Sequence, residues 1–306
     1  MRIKKLFILS ACSLAFGGSL QAQDASTYHQ LASSKAYIGD REGALADFNT
    51  AIEMDPKRKE AFVDRAVLRE QLKDLNGALA DLDRAIDLDA NFTLAYSNRG
   101  VIHEQIGDHH AALTDLSKAL QLDPKDAVTA LNRGIVKSKM KDNAGAHGDY
   151  ALALRLDPGY ARVYYQRALL NAADNDMKAA IADLDSAIAL QPNYALAFAD
   201  RAVAHEHQGD LKLALHDFNR AVTLDPNNAR TYRNRGIARE KSKDVKGAIG
   251  DYTKAIELDA DYATAIFDRG VAKFREGDKM SGCADIQKAA DLGYEQGLFT
   301  LKEVCN

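Results

Sequence analysis

The sequence repeats itself every 34 residues without a gap. Segments starting at Ala25, Lys59, Thr93, Ala127, Ala161, Ala195, Ala229 and Ala263 align as eight copies covering residues 25–296. A fixed period of this length restricts the fold severely. One such unit cannot bury its own apolar face, so neighbours must stack and share a continuous core. With positions numbered 1 to 34 inside a copy, position 8 is always small: Ala32, Ala66, Gly100, Gly134, Ala168, Ala202, Gly236 and Gly270. Position 20 is alanine in seven copies and Gly282 in the last, and position 27 is alanine in all eight. Position 24 is large: Phe48, Leu82, Leu116, Tyr150, Leu184, Phe218, Tyr252 and Ile286. Positions 4, 7, 8 and 11 share one helical face, as do 20, 24, 27 and 28. Small against large residues at this spacing predict two helices per copy in close contact.

The punctuation agrees. Position 16 is aspartate in every copy, from Asp40 to Asp278, where its carboxylate can accept from the free N–H groups opening a second helix. Position 15 is Gly, Lys or Asn, and the glycines suit a tight turn after the first helix. All five prolines (Pro56, Pro124, Pro158, Pro192, Pro226) fall at position 32, where they end the second helix.

The small residue at 8, the alanines at 20 and 27, the large residue at 24 and the proline at 32 together resemble the tetratricopeptide repeat. The resemblance implies an all-α fold, an α-solenoid of eight helix hairpins in a right-handed superhelix with a concave groove, closed by a C-terminal capping helix. The chain departs from the family at two positions. Position 7, usually leucine, is arginine in seven copies: Arg65, Arg99, Arg133, Arg167, Arg201, Arg235 and Arg269. Position 11, usually aromatic, is His, Lys or Arg in all but one copy.

A repeated arginine inside a helix interface requires a repeated acceptor, because an unpaired buried charge is very costly. Position 23 offers one in every copy: Asp47, Asp81, Asp115, Asp149, Asp183, Asp217, Asp251 and Asp285. Pairing within a copy is one possibility. Pairing between the aspartate of one copy and the arginine of the next is the other, and Leu31 in the first copy favours it, since a first copy has no predecessor. That choice draws Asp47 through Asp251 into a structural ladder with the seven arginines.

By the resemblance, positions 2, 5, 9, 12 and 13 of the first helices line the groove. Position 9 supplies Val67, Val101, Ile135, Leu169, Val203, Ile237 and Val271. Position 12 supplies Glu70, Glu104, Glu206, Glu240 and Phe274, and position 5 adds Tyr165 and Phe267. An apolar floor with mixed charge suits a peptide or protein segment held by several shallow contacts. The alternative is that the position 9 residues only pack against neighbouring helices. Some tetratricopeptide proteins grip a C-terminal carboxylate with Lys, Asn and Arg side chains. Here Asn98, Asn132 and Asn234 offer asparagine, but the aliphatic position 9 leaves that clamp incomplete.

Other function classes find little support. The formal net charge is −4, and three positive charges (Arg2, Lys4, Lys5) lie at the start, so no basic face for nucleic acid is evident. The eight histidines show no HExxH spacing, and no glycine-rich phosphate loop occurs. The reading is therefore of a non-enzymatic chain with no catalytic residues, no metal and no cofactor.

Residues 1–23 have the pattern of a secretory signal: a basic start, an apolar run from Leu6 to Phe16 and small residues near Ala22. Cleavage there removes residues 1–22 and exports the chain to the periplasm or beyond a bacterial cell, with no transmembrane segment remaining. Leu9-Ser10-Ala11-Cys12 also resembles a lipobox, so lipid anchoring through Cys12 is the lesser alternative. In an oxidising compartment the two remaining cysteines, Cys283 and Cys305, are expected to form a disulfide that pins a cap over residues 297–306. Two functions follow. The first is a scaffold that binds a partner in the groove. The second is a structural subunit of an envelope assembly that uses its outer ridges.

Overall fold

The computed structural model describes residues 24–305. The expected signal segment and its alternative lipid site at Cys12 lie outside the described residues, as does Asn306. Every described element is helical, and the chain divides into two compact units after Ala111.

The first unit holds α1 (Ala25–Ile38), α2 (Arg41–Met54), α3 (Lys59–Gln71), α4 (Leu75–Leu88) and α5 (Thr93–Gln105). α1 pairs with α2 and α3 with α4, while α2 packs on α3 and α4 on α5. The second unit contains most of α6 (His109–Leu122) and five hairpins' worth of helices beyond it: α7 (Ala127–Lys139), α8 (Asn143–Leu156), α9 (Ala161–Ala173), α10 (Met177–Leu190), α11 (Ala195–His207), α12 (Leu211–Leu224), α13 (Ala229–Lys241), α14 (Val245–Leu258), α15 (Ala263–Arg275) and α16 (Lys279–Asp291). The pairs α7–α8, α9–α10, α11–α12, α13–α14 and α15–α16 each form a hairpin that packs on the next. The fold is thus an all-α solenoid.

Each hairpin is built by the same local physics. The first helix ends in a left-handed residue at position 15, with φ of 86–99° at Gly39, Gly107, Gly209 and Gly277. Lys73, Lys141, Asn175 and Lys243 take the same turn at φ of 63–68°, a conformation that disfavours residues with a Cβ. The next residue is the aspartate, whose carboxylate accepts from the N–H three residues on, as Asp40 does from Gly43 and Asp278 from Ser281. Asp210 alone among these caps lacks that bond. Within the hairpin, every position 24 side chain is at most 2% exposed. Gly134 lies against the Tyr150 ring and Gly236 against the Tyr252 ring, so the bulkiest position 24 residues meet the smallest position 8 residue. Burial, aided by the Asp149 charge, pushes the Tyr150 phenol up to about 12.

At the C-terminal end, α17 (Glu295–Thr300) packs on α16, and Leu301–Cys305 continues as a π-helical turn. The cap begins slightly earlier than the expected residue 297, since Tyr294 ends the preceding turn and caps α17. The Cys283 and Cys305 sulfurs meet at disulfide distance, and Phe267 and Tyr294 pack edge to face beneath the cap. No helix among the described residues is long and apolar enough to cross a membrane.

Candidate protein-binding face

The arginines anchor the architecture on which any binding face depends. Arg65 donates from Nε and Nη2 to the two carboxylate oxygens of Asp81, at 2.9 and 2.6 Å. The same two-pronged pairing joins Arg133 to Asp149, Arg167 to Asp183, Arg201 to Asp217, Arg235 to Asp251 and Arg269 to Asp285. These pairs lie within a copy, which corrects the expected pairing to the preceding aspartate. Asp285 therefore belongs to the ladder. Asp47 does not pair with an arginine: Lys35 holds it at 2.6 Å. The aspartates from Asp81 to Asp285 are buried, Asp115 among them.

The link to the preceding copy exists through the third guanidinium donor. Nη1 of Arg65, Arg99, Arg201, Arg235 and Arg269 reaches the position 25 side chain one copy back: Asn49, Asp83, Asp185, Asn219 and Thr253 respectively. One arginine thus ties its own hairpin together and clips it to the previous one. The copy that starts at Ala25 carries Leu31 at this position and makes no such link. The guanidinium groups of Arg65, Arg99, Arg167, Arg201 and Arg235 also lie 5.3–5.7 Å from an aromatic ring at position 4.

The position 11 residues complete the hub, a role the sequence reading did not assign. Asp81 also receives Arg69, Asp149 Lys137, Asp183 Asn171, Asp251 Arg239 and Asp285 Lys273. The replacement of the family's aromatic by a basic residue there was the available signal. Two cations on one buried carboxylate leave clear electrostatics at Asp285. Burial pushes its acid form up, but the bonds from Arg269 and Lys273 outweigh it and hold the carboxyl below its ordinary range. Stability from such a depressed carboxyl is present above the unfolded value and is lost as pH falls through the folded one. In the sixth copy position 11 is His205. Its Nδ1 is buried without a hydrogen-bond partner, and Asp217 lies instead 3.2 Å from Nδ1 of His216.

The expected groove residues divide into three groups. Leu169 and Val203 are each 38% exposed, and Ile135, Ile237 and Val271 are half-buried beside them in the series α7, α9, α11, α13, α15. Val67 and Val101 hold the same register in the first unit and are half-buried. Tyr165 and Phe267 are corrections. Both are buried, Tyr165 against Tyr194 with its hydroxyl donating to Asp200 at 2.7 Å, and Phe267 under Tyr294. Neither offers a free surface to a partner. Asp200 pays for that contact: burial raises its carboxyl above the usual range despite the Tyr165 bond and Arg230.

The acidic row at position 12 is engaged along the stack. Glu70 accepts from Gln105, Glu206 from Lys241, and Glu240 from Arg275 and from the Tyr252 hydroxyl. Each partner but Tyr252 is the position 13 residue of the next copy. Glu104 is half-buried, and the Phe274 ring lies 5.5 Å from the Lys279 ammonium. The face therefore presents a row of aliphatic side chains edged by carboxylates that are bonded to the next copy, Glu206 and Glu240 to cations and Glu70 to an amide.

Repeated hairpins of this geometry define a tetratricopeptide-repeat solenoid. A family model described as the ETO1 C-terminal domain matches residues 19–141 and 135–232. The chain belongs to the ETO1 C-terminal domain family. Among solved structures, it is similar to a tetratricopeptide repeat protein from Parabacteroides merdae, at 16% identity over 82% of this chain and 99% of that one, with a TM-score of 0.64. It is also similar to the Cut9–Hcn1 hetero-tetramer of the APC/C, at 17% identity over 90% of this chain and 56% of that one, with a TM-score of 0.63. Both likenesses are of fold. No curated protein matches.

Proposed function

We propose that the chain is a non-enzymatic protein-binding scaffold that receives a peptide or protein segment on its first helices. The observation that carries this reading is the aliphatic row Ile135, Leu169, Val203, Ile237 and Val271. In the same helices positions 8 and 10 are buried, while Leu169 and Val203 keep 38% of their surface. An evenly spaced apolar row with its flanking charges already paired favours a segment that contributes apolar side chains and main-chain contacts. The test is crosslinking capture from the native source with wild type and with Leu169→Asp/Val203→Asp. Both side chains are partly exposed, so melting should move little, by about 0.5 kcal/mol or less per site. Loss of the crosslinked partner with the helical spectrum intact is the expected result. Undiminished capture would remove the row from the binding face.

We also propose export, to the periplasm or the extracellular space. The support is the juxtaposition of Cys283 and Cys305, which makes sense in an oxidising compartment. Non-reducing peptide mapping of protein recovered from its native compartment should yield the Cys283–Cys305 pair joined. Two free thiols would count against both the staple and the export.

A further inference from the structure

The third donor of the arginine hub is satisfied in five copies by a position 25 side chain, twice by a carboxylate: Asp83 at 2.7 Å from Arg99 and Asp185 at 2.5 Å from Arg201. Two arginines lack it: Arg167, which follows Ala151 at position 25 but keeps the Tyr164 ring, and Arg133. The Nε and Nη2 of Arg133 hold Asp149, but its Nη1 has no such acceptor among the described residues, and position 25 of the preceding copy is Ser117. The ring at position 4 is missing as well, since that residue is Ala130. Beside Arg133 an open hollow of about 350 Å³ remains, lined by Ser117, Leu120, Gln121, Pro124, Arg133 and Leu152. The hollow lies wholly in the second unit, between α6 and the α7–α8 hairpin, and none of its lining residues belongs to the aliphatic row.

The charge there is unbalanced. Arg133 and Lys137 both bond Asp149, so two cations share one carboxylate, as they do at Asp81, Asp251 and Asp285, where a neutral position 25 side chain takes the third donor. At Arg201 an additional carboxylate, Asp185, comes from the preceding copy. We propose that the hollow beside Arg133 is a second binding site, for an aspartate or glutamate side chain of a partner protein, with an adjoining aliphatic residue resting on Leu120, Pro124 and Leu152. The bound carboxylate takes the place that Asp83 and Asp185 fill in their own copies. The molecule itself thus shows the geometry in which this guanidinium edge donates to a carboxylate. Such a charge-assisted bond is stronger than one to a neutral amide.

Two terminally blocked tripeptides test this, Leu-Asp-Leu and Leu-Asn-Leu, titrated into the full chain and followed by NMR. The acidic peptide should shift resonances of Ser117, Gln121, Arg133 and Leu152 and bind roughly tenfold more tightly than the amide, as expected of a charge-assisted contact. Ser117→Asp should fill the site from within and abolish the titration, while Val203→Asp should leave it unchanged. Equal binding of the two peptides overturns the proposal, as do shifts confined to the aliphatic row or undiminished binding by a folded Ser117→Asp chain. The first comparison needs only the wild-type chain, so it decides the matter even if the variant fails to fold.

Discussion

Arg201→Ala should destabilise the α11–α12 hairpin by about 3–5 kcal/mol, the cost of removing one partner of a buried ion pair. The change deletes both bonds to Asp217, the link to Asp185 and the ring contact with Phe198. Asp217, at 2% exposure, is left with His216 alone. No lysine or arginine stands at position 11 in this copy to take over. Arg235→Ala is the informative comparison, because Arg239 remains 2.9 Å from Asp251. Its cost should be smaller, about 2 kcal/mol, in the range of hydrogen bonds to charged groups. Urea denaturation followed by circular dichroism measures the difference, and hydrogen exchange localises it. A solenoid unfolds by neighbouring repeats, so α11 and α12 should lose protection first in the Arg201 variant. Equal effects of the two substitutions would mean that the second cation contributes nothing.

The second large effect is expected at the last hairpin. Gly282→Ala should lower stability by about 1–3 kcal/mol through overpacking, even though alanine is the better helix former by about 1 kcal/mol. A Cβ on Gly282 would fall 2.8 Å from the Gly270 carbonyl oxygen and 2.9 Å from the Phe274 nitrogen. Those neighbours are backbone and cannot swing aside, so α15 and α16 must separate. Gly148→Ala should do the opposite. That residue lies in α8 with open space where its Cβ would be, so the substitution should gain about 0.5–1 kcal/mol. Thermal melts of the two variants beside wild type give both signs. A neutral Gly282→Ala would show that the close approach of α15 and α16 is not what Gly282 serves, and destabilisation by Gly148→Ala would contradict the open space beside α8.

These two cases also mark what could be read in advance. Capping aspartates, helix-ending prolines and alanine seams act within a few residues of themselves, so their roles follow from order alone. The need of Arg65 or Arg235 for a carboxylate was equally legible, because buried charge demands compensation whatever the fold. Which carboxylate answers was not. The aspartate within a hairpin and the one in the previous hairpin lie at similar sequence distances, and only the crossing of two helices decides between them. The turn at position 15 brings Asp81 onto both prongs of Arg65 and leaves Nη1 for Asn49. Tyr165 and Phe267 escaped for another reason. They occupy a groove position by repeat register, but Tyr194 and Tyr294, which follow no strict pattern, cover them. The fourth copy shows a further limit. Gly145 and Gly148 mark its second helix as weak, yet α8 runs unbroken from Asn143 to Leu156. Gly145 gives its N–H to Asp142, and alanines Ala146 and Ala153 are fully buried, so tertiary packing outweighs propensity.

The central claim is that a guanidinium group and the carboxylate of its own second helix hold the hairpin together, as at Arg65, Arg133, Arg167, Arg201, Arg235 and Arg269. A double-mutant cycle on Arg201→Met and Asp217→Leu tests it directly. Each single change strands a buried charge, whereas the double change removes both, so the account predicts a coupling of about 2–3 kcal/mol, with the double variant more stable than the singles imply. Strictly additive losses would contradict it, since the two groups would then stabilise the stack without each other.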